Sequence, residues 1–508
     1  MKINQLKTGV ILSYITEAVN ILSGLFYTPV MLRLLGINEY GLYQLVHSVV
    51  SYLGVLSLGF GAGYMRFYSR FKAQDDQKGI AKLNGMFLII FSVIAVVCLL
   101  CGGVMASNVR MVFGDGLTDA ELSKARILLS MMVVNLSATF INSAFKCQVT
   151  AHENFVFQRC LGLFKAVFNP FLTLPLLIMG CGSVAMVGVT TFITFFALIT
   201  DILYCIKKLK VKFYFRQFDF SLLKEMWVFT FFIFINMIVD QLNWSIDKVL
   251  LGRMIGTGAV GIYGIAAQIN SMYLHFSSTV STVFIPRVNM MIAQNKDDKT
   301  LTDLFTKVGR FQFLILGLII TGYVFFGKEF ISLWAGSAYM DAYVIGLFLM
   351  IPVTVPLIQN LGIEIQRAKN MHKARSIVYL IIAISNIFVS IPCIRAWGTL
   401  GAAIGTAISL IVGNCIFMNY YYHCRIKLNM FYFWVNIFKF LPAVCVSLVG
   451  GVLIRTFLPL EKLLFLICGI VIYTLIYAVA MWCFGMNEYE KDLIKKPVKK
   501  IGDKICKK

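Results

Sequence analysis

The sequence predicts an all-α protein that crosses a membrane many times. Of its 508 residues, 59% are hydrophobic and only 14% are charged, and the mean hydropathy is +0.80. Because a soluble domain carries about a quarter charged residues, a soluble core could not bury this much apolar surface. Apolar stretches of about 20 residues, the length of helix that crosses the hydrocarbon layer, recur along the whole chain. The bilayer is therefore the solvent for most of this chain.

The apolar stretches predict about fourteen membrane-spanning helices. The least typical are 158–179, which contains Arg159 and Lys165, and 377–394, which is short. The predicted spans are 9–32, 41–64, 83–107, 127–149, 158–179, 184–206, 226–250, 259–284, 311–327, 343–363, 377–394, 399–421, 436–456 and 463–484.

Basic residues indicate how these spans are oriented. When the N-terminus is placed in the cytoplasm, most of the 46 lysines and arginines fall in cytoplasmic loops, as the positive-inside rule requires. The clusters lie in 66–82, 207–224, 287–310 and the C-terminal tail. Both termini are therefore predicted to be cytoplasmic. The net charge of +22 follows this loop pattern, which argues against nucleic acid as a partner and favours contact with anionic membrane lipids.

The residue types used in catalysis and metal binding do not form a typical site. The thirteen cysteines lie mostly inside spans, where they act as small apolar residues. The five histidines lack metal-ligand spacing, and no phosphate-binding loop is present in the sequence. The paired carboxylates that a membrane-embedded glycosyl or acyl transferase would need occur only in "DDQK" and "DDKT", which indicate solvated turns. We therefore predict no metal, no cofactor and no enzymatic activity.

A motif near the start of the chain recurs in its second half. "RLLGINEYGLY" (33–43) matches "RMIGTGAVGIY" (253–263) at an offset of 220 residues. Further along, the offset is 217, as between Asn169 and Asn386. An even number of spans per copy predicts two parallel six-helix repeats, an arrangement that places a central site between the halves of a transporter. The predicted domains are an N-terminal bundle (1–206), a basic linker (207–225), a C-terminal bundle (226–423), extra helices 13 and 14 (424–486) and a basic tail (487–508).

A polar stripe interrupts the seventh span, in "NMIVDQLNWSIDKV". Asn236, Asp240, Asn243 and Asp247 are spaced four, three and four, which places them on one face of a helix. A carboxylate at the centre of a span costs roughly 2.5–3.5 kcal/mol on insertion scales, so such residues face protein or water rather than lipid. This face is therefore predicted to line a hydrated cavity, although Asp247 lies near the outer end of the span and could equally be an interfacial anchor.

The first span repeats this pattern. Ser13, Glu17, Asn20 and Gly24 have the same spacing, and Asn20 corresponds to Asp240 under the offset of 220. Two equivalent helices that present polar stripes favour a shared solute path. The alternative is structural, with Glu17 and Asp240 each hydrogen-bonded or ion-paired within its own half.

The recurring motifs also resemble a known family. "LLGINEYGLY" and "DKVLLGRMIGTGAVGIYGIA" are similar to the polysaccharide-unit flippases (Wzx-type, of O-antigen and capsule synthesis), which belong to the multidrug/oligosaccharidyl-lipid/polysaccharide exporter superfamily. The resemblance covers nearly the whole chain. It implies a V-shaped pair of bundles that work by alternating access in the bacterial plasma (inner) membrane. It implies a polyprenyl-diphosphate-linked glycan as substrate, for O-antigen, capsule or exopolysaccharide, with a polymerase and glycosyltransferases as partners.

Candidate site residues follow from the stripes and from this resemblance. Snorkelling to headgroups, topology bias and ordinary packing within a bundle are the alternative explanations for many of them. The predicted cavity residues are Glu17, Asn20, Asn236, Asp240, Asn243, Trp244 and His275. The candidate diphosphate contacts are Arg33, Arg66, Lys146, Lys165, Lys248 and Arg253.

Energy must come from a source other than nucleotide hydrolysis, because the sequence contains no ATPase domain. We predict coupling to an H⁺ or Na⁺ gradient, to the membrane potential or to downstream consumption of the product, with Glu17 and Asp240 as the candidate ion site. Two alternatives from the same superfamily stay open: a multidrug or organic-cation antiporter, and a flippase of the peptidoglycan lipid precursor. A structural scaffold would not explain the matched stripes.

Overall fold

The computed structural model describes residues 5–215, 220–369, 371–492 and 495. Its described residues form α-helices with short 3₁₀ and π segments, and they contain no strand. The predicted all-α class is therefore confirmed.

Eight α-helices precede residue 255. They are α1 (Gln5–Leu53), α2 (Phe60–Ala73), α3 (Gln77–Ser107), α4 (Val109–Phe113), α5 (Asp119–Ala151), α6 (Phe155–Ile178), α7 (Gly182–Leu203) and α8 (Phe220–Met254).

Ten α-helices follow. They are α9 (Thr257–Ala293), α10 (Asp298–Trp334), α11 (Ala342–Ile358), α12 (Leu361–Ala368), α13 (His372–Trp397), α14 (Thr399–Leu410), α15 (Met418–Cys424), α16 (Met430–Phe438), α17 (Leu441–Phe457) and α18 (Leu463–Ala480).

Many of these helices can cross a membrane. By length and composition, ten candidate spans are found among the described residues, or eleven if the bent pair α11 and α12 forms one span. The two least typical predicted spans, 158–179 and 377–394, are both among the ten, as α6 and α13. The chain is a multi-pass membrane protein, and its predicted total of about fourteen spans stays a prediction.

The difference in number arises mainly at two places. Predicted span 1 and the first part of predicted span 2 both lie on α1, where Gly36 interrupts the helix with φ 76° and ψ 171°. Only glycine adopts such a conformation without steric cost, so the chain can turn there although the helix formally continues. The rest of predicted span 2 lies on a 3₁₀ turn and the start of α2. Predicted spans 7 and 8 correspond to α8 and α9, which are not among the ten candidates.

Helix boundaries follow the offset between the two copies of the motif. α2 ends at Ala73 and α9 at Ala293, and each is followed by a residue with a left-handed backbone, Asp75 (φ 52°) and Asn295 (φ 50°). Later in the chain, α6 and α13 begin 217 residues apart, as do α7 and α14. These boundaries agree with a duplicated six-helix unit.

The chain divides into two compact units. The first comprises Met1–Gly264 with Ile394–Thr399, and the second comprises Ile265–Cys393 with Leu400–Lys508. The first unit extends past the predicted bundle 1–206 because α8 packs against α1 and α2. The predicted domain boundaries follow the sequence duplication, whereas these units are defined by contacts within each unit. The predicted domains therefore stay a prediction.

Each unit has its own packed interior. In the first, α5 packs between α3 and α7, and α1 packs along α6. In the second, α10 packs against α17 and α18, where Phe325, Phe326 and Tyr473 form part of a buried cluster. The extra helices at the end of the chain are thus held by core contacts with α10.

Candidate functional site

The polar stripe of α8 is not uniform in its surroundings. Asp240 and Trp244 are exposed, and Asn236 and Asn243 are half-buried. Asp247 is only 1% exposed, and its Oδ2 accepts a hydrogen bond of 2.5 Å from the hydroxyl of Tyr263. Asp247 is therefore a buried, hydrogen-bonded carboxylate rather than an interfacial anchor, and the lining role of the other four stays a prediction.

The remaining predicted residues lie mostly at the surface of the described chain. Glu17 and Asn20 are exposed on α1, in a segment where large apolar side chains such as Tyr14 and Ile21 are exposed as well. This exposure fits either a hydrated path or a lipid-facing surface. The other exposed candidates are Arg33, Arg66, Lys146, Arg253 and His275.

Among the candidate diphosphate contacts, Lys248 has an environment that differs from that of the exposed arginines and lysines. It is half-buried on α8, and its Nζ donates a hydrogen bond of 3.1 Å to Oε1 of Gln44 on α1. The amide of Gln44 in turn donates a 2.6 Å hydrogen bond to the hydroxyl of Tyr40. Within the described part of the chain, no carboxylate forms an ion pair with Lys248. A partly desolvated ammonium is therefore held by a neutral amide.

A second polar contact joins the same two helices one to two turns away. Nε2 of Gln241 donates to Ser51 Oγ and, at 2.6 Å, to Ser245 Oγ. Ser51 and Ser245 lie 3.4 Å apart. α1 and α8 are thus also connected by hydrogen bonds between uncharged side chains, one to two helical turns before Lys248 along α8.

A cavity of about 370 Å³ opens beside this network. His47 and Ser51 belong both to its wall and to the helix face that carries Gln44. His47 is close enough to Lys248 to experience its charge. The walls come from α1 and the 3₁₀ turn after it, from α5 and from α7. The lining residues are Tyr43, His47, Val50, Ser51, Gly54, Met132, Asn135, Leu136, Thr139, Val187 and Thr190.

Lys165 has a different environment. It interacts electrostatically with Asp201 of α7, a carboxylate that is 2% exposed and that also interacts with Asn142 and Lys146. Lys165 therefore has an acidic neighbour, and so does Lys146. Their predicted role as diphosphate contacts stays a prediction.

The sequence contained signals for residues that were not predicted. Gln44, His47 and Ser51 are spaced three and four, which places them on one helix face in predicted span 2. Asp201 lies inside predicted span 6, and a carboxylate within a span suggests a functional residue by default. Among the described residues, no group of three or more His, Cys, Asp or Glu could hold a metal ion.

Comparisons with known proteins agree with this architecture. Residues 6–292, more than half of the chain, match the family described as "Polysaccharide biosynthesis protein". A relative from Bacillus subtilis (strain 168), "Uncharacterized membrane protein EpsK", is 22% identical over 405 residues, covering 78% of each chain. The "Probable flippase AglR" of Haloferax volcanii is 24% identical over 179 residues, which cover 34% of this chain and 37% of AglR.

Solved structures share the fold. "Lipid II flippase MurJ, inward closed conformation" superposes with a TM-score of 0.75 at 18% identity, covering 96% of this chain and all of that one. The Vibrio cholerae MATE transporter VcmN in its bent form superposes with a TM-score of 0.55 at 13% identity, covering 84% and 98%. The match over residues 6–292 shows that this chain belongs to the polysaccharide biosynthesis protein family, and the solved structures show that it shares their fold.

Proposed function

We propose that the protein flips polyprenyl-diphosphate-linked oligosaccharide repeat units across the bacterial plasma membrane by alternating access, for the synthesis of a surface polysaccharide. Family membership supports a role in polysaccharide synthesis. The names of two similar proteins, a probable flippase and a lipid II flippase, support movement of a lipid-linked substrate. Both termini would lie in the cytoplasm.

The observation that carries this proposal is the environment of Lys248. A half-buried ammonium that has a neutral amide as its hydrogen-bond acceptor is incompletely compensated. An anion that enters beside it would supply the missing charge, and the attraction between opposite charges is stronger where water is partly excluded. A diphosphate group meets this need, whereas an organic cation would be repelled. The same cluster therefore favours the flippase over the cation antiporter.

The adjoining cavity suits a sugar. Its polar members Asn135, Thr139 and Thr190 can exchange hydrogen bonds with hydroxyl groups, and Tyr43 offers a ring on which a sugar ring can stack. Its volume of about 370 Å³ lies within the range of roughly 300–1,000 Å³ that is usual for small-molecule sites. The polyprenyl tail would remain in the lipid.

The exposed cations and carboxylates have proposed roles in the same cycle. Arg66, Lys146 and Lys165 would receive the diphosphate at the cytoplasmic side, and Arg33 and Arg253 would assist its release outside. Glu17 and Asp240 would bind the coupling ion from an H⁺ or Na⁺ gradient, or respond to the membrane potential. A polymerase and glycosyltransferases are the proposed partners.

Deletion of the gene in the native host tests the proposal. We expect loss of surface glycan and accumulation of a polyprenyl-linked repeat unit, detected by mass spectrometry of extracted lipids, with both effects reversed by the wild-type gene. Accumulation of the peptidoglycan lipid precursor instead would identify a flippase for that substrate. Unchanged glycan together with new sensitivity to cationic dyes would favour the antiporter.

A further inference from the structure

Residues that correspond under the offset of 220 contact one another in the first compact unit. A Cβ atom built on a glycine of each pair would lie 3.0–3.5 Å from an atom of the partner residue. The three pairs are Asn38 with Gly258, Gly41 with Gly261, and Gln44 with Gly264.

This self-pairing has a geometric meaning. In a two-fold arrangement, only residues close to the axis contact their own equivalents, and all other contacts occur in reciprocal pairs. Such a reciprocal pair is present: a Cβ on Gly261 would lie 2.6 Å from the carbonyl oxygen of Ile37, and a Cβ on Gly41 would overlap the carbonyl oxygen of Thr257. Ile37 and Thr257 are themselves 220 residues apart. The duplicated motif therefore packs on its own copy around a local pseudo-two-fold axis.

The contact depends on glycine. Small residues let helix backbones approach closely in membranes, where packing and hydrogen bonding drive association. At Gly41 and Gly261 the backbones meet without an intervening side chain, so that any Cβ atom would force the helices apart. We call the contact of Asn38, Gly41 and Gln44 with Gly258, Gly261 and Gly264 the glycine seam.

Hydrogen bonds hold the surroundings of the glycine seam. Glu121 Oε1 accepts a 2.6 Å hydrogen bond from the hydroxyl of Thr257. Glu39 Oε1 accepts a 2.6 Å hydrogen bond from the backbone N–H of Ser183, and Lys124 Nζ lies 3.1 Å from Glu39 Oε2. These contacts tie α5 and α7 to the ends of the seam. All of them lie in the segments 33–40, 108–126, 180–183 and 251–258, which the charge pattern assigns to the outer side of the membrane.

Gln44 belongs both to the glycine seam and to the candidate site. Its Oε1 accepts the hydrogen bond from Lys248, and its Cγ would lie 3.3 Å from a Cβ built on Gly264. An anion beside Lys248 would attract the ammonium through its full charge, whereas the amide of Gln44 offers only a dipole. A shift of the ammonium toward that anion would lengthen its hydrogen bond to Gln44, whose side chain packs against the seam.

We propose that the glycine seam is the extracytoplasmic gate of this transporter, that it is closed in this structure, and that Gln44 couples its opening to anion binding at Lys248. This inference rests on the proposed function. Opening requires α9 to separate from α1, which breaks the bond between Glu121 and Thr257 and exposes the residues now buried at the seam. This proposal gives the duplicated motif a function, because each copy of the motif supplies one face of the gate.

A disulfide across the axis tests the gate. The double variant N38C/G258C places thiols on an equivalent pair that lies outside the candidate site. We expect oxidation with copper–phenanthroline to form the disulfide and reduce glycan export at least tenfold, and a reductant to restore it. The wild type and both single variants control for the native cysteines, which are all free among the described residues.

A matched control joins helices that are not expected to separate. In G450C/I476C, a Cβ on Gly450 would lie 3.8 Å from the Cβ of Ile476, the mean distance in disulfides. This link between α17 and α18 should leave export unchanged. Full export by the cross-linked N38C/G258C protein, or failure of that pair to cross-link, would overturn the gate.

A second readout does not depend on glycan transport. Leu45 follows Gln44 in the sequence, is 1% exposed and packs against Gly252 near the end of α8, so L45C should react slowly with a membrane-impermeant maleimide, measured by mass spectrometry of its peptide. Adding G41A should raise the labelling several-fold, because the new methyl group forces α1 away from Thr257. G103A is the control, since nothing lies within 4 Å of a Cβ at Gly103.

The two readouts separate the hypotheses. If gene deletion leaves the glycan intact, the proposed function fails, yet the labelling of L45C still tests the gate. If G41A and G103A label alike, the gate fails whatever the substrate is. The proposed coupling through Gln44 has its own test: adding Q44A to L45C should raise the labelling in the absence of substrate. Equal labelling of L45C and Q44A/L45C would exclude a coupling role for Gln44.

Discussion

Arg310 and Glu490 form a two-pronged ion pair inside the second compact unit, with Arg310 Nε and Nη2 donating to the two carboxylate oxygens at 2.6 and 2.8 Å. The two side chains are only 3% and 6% exposed. The guanidinium also donates to the carbonyl oxygen of Gly485 at 2.9 Å and lies 4.1 Å from the ring centre of Phe440. The pair therefore fixes the segment that follows α18 to α10.

Removal of one partner should destabilise the protein strongly. E490A leaves a buried guanidinium without its counter-charge, which typically costs about 3–5 kcal/mol. We expect a clear fall in the unfolding temperature of the purified protein in detergent. E225A is the control, because the pair of Arg70 with Glu225 is about half exposed and such surface pairs contribute roughly 0–1 kcal/mol. Equal shifts for E490A and E225A would contradict this account.

Local features of the fold could be predicted from the sequence because they depend on short-range patterns. Hydropathy located α6 and α13 although one span is charged and the other is short. The offset between copies of the motif anticipated the matching ends of α2 and α9. The number of spans was less accessible, since a single glycine, Gly36, decides where the long α1 is interrupted.

The candidate site was only partly predictable, because its contacts join residues far apart in the sequence. Lys248 was predicted as a diphosphate contact, but its partner Gln44 lies 204 residues away. Helical spacing placed Asp240 and Asp247 on one face, yet the structure exposes the first and buries the second against Tyr263. Spacing identifies a face, whereas the neighbouring helices determine what each residue on that face contacts.

Asp201 and Lys165 should behave as a coupled pair. K165M leaves the buried carboxylate of Asp201 with less positive charge nearby, and D201N leaves the lysine without its acidic neighbour. We therefore expect each single variant to lower the unfolding temperature more than the double variant K165M/D201N does, with a coupling energy of about 0.5–3 kcal/mol. Strictly additive effects would show that Lys165 is available for another partner.

Lys248 should matter for transport rather than for stability. K248M removes a half-buried charge that has no ion-pair partner among the described residues, so the unfolding temperature should stay equal or rise. Glycan export should fall at least tenfold, because the diphosphate loses its cation, and K248R should retain part of it. Complementation of the deletion strain, with protein levels matched, measures export. A destabilised K248M protein with normal export would assign Lys248 a structural role.

Glu17 and Asp240 test the source of energy. Both carboxylates are exposed on helices that the charge pattern places within the membrane, and on the proposed hydrated path an ion would reach them. In proteoliposomes that contain the lipid-linked repeat unit, an imposed H⁺ or Na⁺ gradient should accelerate flipping by the wild type. The variant E17Q/D240N should flip at the same rate with and without the gradient, because neither amide can bind a proton or neutralise a cation. S13A, on the same stripe as Glu17, is the control and should keep the acceleration. A gradient response that survives in E17Q/D240N would place the ion site elsewhere. If the double variant loses the response, the single variants E17Q and D240N would show which carboxylate carries the coupling.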